Sequence, residues 1–79
     1  MGLYYCYAIK SLHRNYIYKG ITDDLERRIN QHNKGYNKTT KPYAPFKLIY
    51  SKSFNTGTEA RDHEKWLKSS SGRRFLSGL

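Results

Sequence analysis

LYYCYAIK (residues 3–10), SLHRN (11–15) and YIYKG (16–20) decide the fold. The first and last of these segments are rich in aromatic and other strand-favouring types, and the link between them is short and polar. That pattern predicts an antiparallel β-hairpin. Alternation along the second strand puts Tyr16, Tyr18 and Gly20 on one face and Ile17 and Lys19 on the other. A lysine in mid-strand predicts an edge position or a solvent-facing side for residue 19.

Beyond the hairpin, Leu25, Ile29 and His32 recur at helical spacing after Thr22-Asp23-Asp24. This predicts an amphipathic helix capped by Thr22 or Asp23, with Asp23 and Glu26 as a capping box, ending near residues 33–35. KGYNKTTKPYAP (34–45) is a polar, basic loop that holds both prolines. A loop of that length in a small domain is usually functional or mobile. FKLIYSK (46–52) reads as a third strand, and NTGT (55–58) as a second cap. The helix from 59 to about 68 turns Ala60, His63 and Leu67 inward. Ser69-Ser70-Ser71-Gly72 interrupts it, and one more turn docks Phe75 and Leu76 back. The order is β-β-α-β-α, an α/β (α+β) unit over residues 1–79, with a small three-stranded antiparallel sheet flanked by helices.

Charge narrows the partner. Lysine and arginine number 15 against 6 acidic residues, a net +9 on 79 residues. Such a field favours nucleic acid or an anionic membrane surface. A core this thin excludes a large bound cofactor or a deep cavity. The one cysteine, Cys6, excludes an internal disulfide, and a cytoplasmic location is expected. No apolar run approaches the roughly 20 residues that cross a membrane, and nucleic acid rather than a membrane is the expected partner. Cys6, His13 and His63 show no zinc-ligand spacing. Neither a glycine-rich phosphate loop nor a Ser-His-Asp order is present.

What remains is a set of residues in a particular order. Tyr7 and Tyr18 are followed by Gly20, Arg28, His32 and, on the later helix, Glu64. YCYAIK, YIYKGITDDLERRINQH, EARDHEKWLKS and GRRFL resemble the GIY-YIG nuclease domain over residues 3–76. The likeness is strongest to the short stand-alone members similar to the N-terminal domain of the bacterial excision-repair nuclease. It implies that Tyr7 is the GIY tyrosine, Tyr18 the YIG tyrosine and Gly20 the glycine after it. It likewise implies that Arg28 is the catalytic arginine, His32 a polar helix position near the site and Glu64 the metal-binding glutamate. The implied activity is metal-dependent endonucleolytic hydrolysis of DNA phosphodiester bonds, in repair or recombination, on double-stranded or branched DNA. The signatures read YCY and YKG rather than GIY and YIG. Residues 65–79 contain no asparagine, which many family members place after the glutamate, and Ser69, Ser70 or Ser71 is the available substitute.

The chemistry of these side chains can be argued without the family. Phosphodiester hydrolysis needs an attacking water, neutralised phosphoryl oxygens and help for the leaving oxygen. Glu64 suits one Mg²⁺ or Mn²⁺ held by a single carboxylate with waters. Arg28 offers a planar fork for phosphate. A tyrosine such as Tyr7, with Tyr18 in support, can take a proton from water only if a cation lowers its pKa from about 10. Gly20 either relieves a strand end or lets phosphate approach the backbone. Lys34, Lys38 and Lys41, with Tyr36 among them and Tyr43 just beyond, suit a phosphate backbone and stacked bases, and Arg73 and Arg74 extend that surface. Two further readings stay open: a nucleic-acid-binding module with weak catalysis, and a basic adaptor for an acidic protein. A nuclease of this size takes its targeting from a protein partner, from DNA structure or not at all.

Overall fold

The computed structural model describes residues 2–79, so Met1 of the expected 1–79 unit lies outside the described residues. Strands β1 (Tyr4–Ser11), β2 (Ile17–Thr22) and β3 (Phe46–Phe54) form one antiparallel sheet in the order β2-β1-β3. Helices α1 (Leu25–Asn33), α2 (Gly57–Leu67) and α3 (Ser70–Ser77) cover it. The hairpin pairs Tyr7 with Gly20 and Ala8 with Lys19. A register shift between Ala8 and Ile9 bends the β1–β3 ladder.

β1 is buried on both faces because alternate residues serve two cores. Cys6 and Ala8 pack with Leu67 and Leu76 on the α2–α3 side. Tyr7, Ile9 and Phe46 pack on the α1 side, with Tyr16, Tyr18, Leu25 and Ile29 around them. The alternation expected for β2 is therefore present, with Tyr16 and Tyr18 on one side and Ile17 and Ile21 on the other.

Local chemistry explains the helix ends, with some corrections. Asp24, not Thr22 or Asp23, caps α1, its carboxylate accepting from the Arg27 amide at 3.1 Å. The expected box with Glu26 does not form, because the residue three after the cap is Arg27. That arginine turns back to Asp23 at 3.0 Å instead. α1 closes on Gly35 in the left-handed region, φ +79°, with the Tyr36 amide donating to the Gln31 carbonyl. Thr56 caps α2 by accepting from the Glu59 amide at 3.2 Å. The C-terminal turn is a full helix: Ser69 breaks α2 but caps α3, accepting from the Gly72 amide. Leu76 docks as expected, and Phe75 packs edge-on against Tyr50 while staying 42% exposed. Lys19 is on an edge strand as expected, yet it is half-buried rather than solvent-facing, because its side of β2 is covered by α2. No helix among the described residues is long and apolar enough to cross a membrane.

Candidate active site

Tyr7 lies at the centre of β1, 1% exposed. Its hydroxyl is 2.9 Å from Nε2 of His32, which α1 delivers from the same side of the sheet at 0% exposure. Nδ1 of His32 is 2.8 Å from Oγ1 of Thr40, itself buried, and Thr40 reaches on to the Asn37 carbonyl at 3.4 Å. The hydrogen bonds assign the tautomer. Thr40 donates to the carbonyl, Nδ1–H donates to Thr40, and Nε2 accepts the Tyr7 proton. Thr40 is the residue that sequence reasoning missed. It sits in the polar loop of residues 34–45, where no periodicity marks it. That loop is pinned by Thr40, by the Asn33 carboxamide accepting from the Phe46 amide at 2.7 Å, and by Ser11 donating to the Tyr43 carbonyl at 2.6 Å.

The other expected residues gather unevenly. The Tyr18 ring lies 5.0 Å from the His32 ring and 6.4 Å from the Tyr7 ring. Gly20 faces Tyr7 across the ladder, and its missing side chain makes room for the phenol. A Cβ there would stand 2.7 Å from the Tyr7 hydroxyl. Arg28 donates to Gln31 at 3.1 Å and leaves the acidic residues of the first turn to Arg27. Its charge bears on both Tyr7 and His32. The Glu64 side chain is 19% exposed and is tied at 3.4 Å to Lys68. Its charge reaches Tyr7 and Cys6.

Away from this group, Lys34, Lys38 and Lys41 are exposed along the loop, and Arg73 and Arg74 are exposed on α3. Tyr43 is engaged within the protein, its ring stacked on Tyr16 at 3.9 Å with the Arg14 guanidinium 5.9 Å from its centre. Of the serines near α3, Ser69 is occupied as its cap.

Burial dominates the electrostatics. It pushes the Tyr7 phenol up to about 12, although the Arg28 guanidinium beside it pulls the other way. Burial, then Arg28, holds His32 down to about 4. The resting pair is therefore a neutral phenol donating to a neutral imidazole. Among the described residues no three histidine, cysteine, aspartate or glutamate side chains come together to hold a metal. The protein can thus offer one sheltered carboxylate, Glu64. That fits a hydrated Mg²⁺ or Mn²⁺ and not zinc, which needs three or four protein ligands.

Residues 3–76 match the family model of the GIY-YIG catalytic domain. The chain belongs to the GIY-YIG family. A UPF0213 protein of Staphylococcus saprophyticus is 35% identical over 77 residues, covering 96% of this chain and 93% of the relative. A UPF0213 protein of Streptococcus agalactiae is 43% identical over 53 residues, covering 66% of this chain. The chain spans 60% of the length of that relative. The solution NMR structure of a UPF0213 protein from Bacillus halodurans superposes with a TM-score of 0.56 at 30% identity, over 98% of this chain and 84% of that one. The GIY-YIG family is a family of nucleases, as the order of Tyr7, Tyr18, Arg28, His32 and Glu64 implied.

Proposed function

We propose that this GIY-YIG protein is a metal-dependent endonuclease that hydrolyses DNA phosphodiester bonds. The observation that carries the reading is the buried 2.9 Å hydrogen bond from Tyr7 to His32, with the charges of Arg28 and Glu64 bearing on it.

Magnitudes decide how this pair works. Moving a proton from a phenol at about 12 to an imidazole at about 4 costs on the order of 10 kcal/mol, so a standing phenolate is not the base. The pair serves instead as a relay. Tyr7 takes a proton from the attacking water while it passes its own to Nε2 of His32. The incoming phosphate, an anion, favours the imidazolium that results. Thr40 holds Nδ1–H, which keeps Nε2 free to accept. Arg28 clamps the phosphoryl oxygens, and Tyr18 walls the site beside His32. Glu64 would hold the divalent ion. When bound, that ion supplies charge neutralisation at the phosphoryl and leaving oxygens.

Cleavage of plasmid and branched DNA with Mg²⁺ or Mn²⁺ tests the reading, with Tyr7→Phe, Arg28→Ala and Glu64→Ala as comparisons. Cutting by the wild type alone supports it. Binding without cutting by the wild type moves the assignment to a nucleic-acid-binding module.

A further inference from the structure

β2 carries functional groups on both faces. Tyr18 and Gly20 belong to the Tyr7 side. Lys19, between them, pairs across the ladder with Ala8, and Ala8 packs with Leu67 and Leu76 on the opposite side. Lys19 therefore lies beneath the corner where α2 passes into α3.

That corner is tight. Gly72 is buried, and a Cβ there would collide with the Trp66 carbonyl oxygen and stand 2.5 Å from Leu67 Cα. The close turn brings two more cations to the same place. Lys68 directly follows Leu67, and Arg73 precedes Leu76 by about one turn of α3. Burial, then the charges of Arg73 and Lys68, holds the Lys19 ammonium below the usual lysine range. Lys68 is the counter-ion of Glu64 at 3.4 Å. Among the described residues neither Lys19 nor Arg73 forms an ion pair. Like charges gathered around the half-buried Lys19 repel one another, and an anion set among them would relieve that repulsion. The corner adjoins Glu64, and β2 is the edge strand, so no further strand covers its outer side.

We infer that Lys19, Lys68 and Arg73 form a phosphate-binding subsite beside Glu64, which holds an internal phosphodiester of the nucleic-acid strand next to the one engaged by Arg28. The identity of the ligand rests on the nuclease reading. The strand crosses the β2 edge, with one phosphate on the Tyr18 side and its neighbour on the Lys19 side. Lys68 also keeps the Glu64 carboxylate from opposing that anion.

The test is binding of labelled oligonucleotides, with and without a 5′-phosphate, in EDTA over a salt series. Lys19→Gln and Arg73→Gln are each expected to weaken binding several-fold and to flatten the log–log salt slope by about 0.7 to 0.9, the loss of one phosphate contact. Lys19→Arg keeps the slope, and so does Lys47→Gln on β3, at the far edge of the sheet. Arg73 is exposed, so its variant reports even where Lys19→Gln folds poorly. Tight binding with an unchanged slope in both Gln variants overturns the subsite and leaves the nuclease reading standing. So does an equal flattening by Lys47→Gln. A loss confined to phosphorylated ends overturns the internal linkage. Absence of salt-dependent binding by the wild type overturns the nuclease reading itself.

Discussion

Tyr7 and Gly20 face each other across the β1–β2 ladder, and the Tyr7 phenol fills the space where a side chain at residue 20 would begin. A Cβ would stand 2.7 Å from the hydroxyl oxygen and 2.9 Å from Cζ. The ring has nowhere to retreat, being 1% exposed and tied to His32. The glycine thus sets the position of the proposed catalytic hydroxyl.

Gly20→Ala is therefore expected to push the phenol off His32. Overpacking of this kind costs about 1–3 kcal/mol of stability. The cleavage rate should fall at least tenfold, which corresponds to about 1.4 kcal/mol of barrier. Denaturant midpoints and kcat/KM check both. A fully active Gly20→Ala would show that the Tyr7–His32 bond is dispensable.

Thr40→Val keeps the shape of residue 40 and removes its hydroxyl. Nδ1–H of His32 would then be buried without an acceptor, at a cost of about 1–3 kcal/mol. Cleavage should fall less than in His32→Ala, which removes the proton acceptor itself and is expected to lose about 10²–10⁴-fold. Unaltered stability and rate in Thr40→Val would remove Thr40 from the relay.

The His32 imidazole makes stability depend on pH in a defined direction. Its pKa is about 4 folded against 6.5 in the unfolded chain, so between those values the unfolded chain binds more protons. Its contribution is complete above 6.5 and is lost as pH falls towards 4, a difference of about 3 kcal/mol. Half-buried His63, also lowered by burial and then by Lys52, acts in the same sense. Chemical denaturation at pH 7 and pH 4.5 should show the loss, and His32→Gln should flatten it. A His32→Gln protein as acid-sensitive as the wild type would contradict the assignment.

Glu64→Gln separates function from fold. The Glu64–Lys68 pair involves a lysine that is 56% exposed, so losing it costs under about 1 kcal/mol. Metal-dependent cleavage should vanish while the melting temperature barely moves. Residual Mg²⁺-dependent cutting at the wild-type rate would place the metal elsewhere.

Much of this was legible in the chain. Strand alternation in YIYKG separates Tyr18 from Lys19, and the apolar spacing of Leu25, Ile29 and His32 shows which side of α1 turns inward. Those patterns are local, because backbone geometry repeats over two or about four residues. The cap of α1 falls one residue beyond Asp23 and two beyond Thr22, since all three carry a side-chain oxygen able to cap and only the realised backbone selects Asp24. Thr40 was invisible because a buried hydroxyl in an irregular loop leaves no periodic trace. For Lys19 the edge position was legible but its partial burial was not, because alternation gives its side of the strand but not what covers that side.

By itself, then, the sequence determined the order of the elements, the hairpin and the set of residue types able to serve a phosphodiester, because each depends on neighbours a few positions away. Tertiary structure decided the rest. It brought His32 to Tyr7 across 25 residues, put Gly20 beneath the phenol and gathered Lys19, Lys68 and Arg73 at one corner. Such contacts join distant segments, and only the packing of both sheet faces against their helices determines which side chains meet.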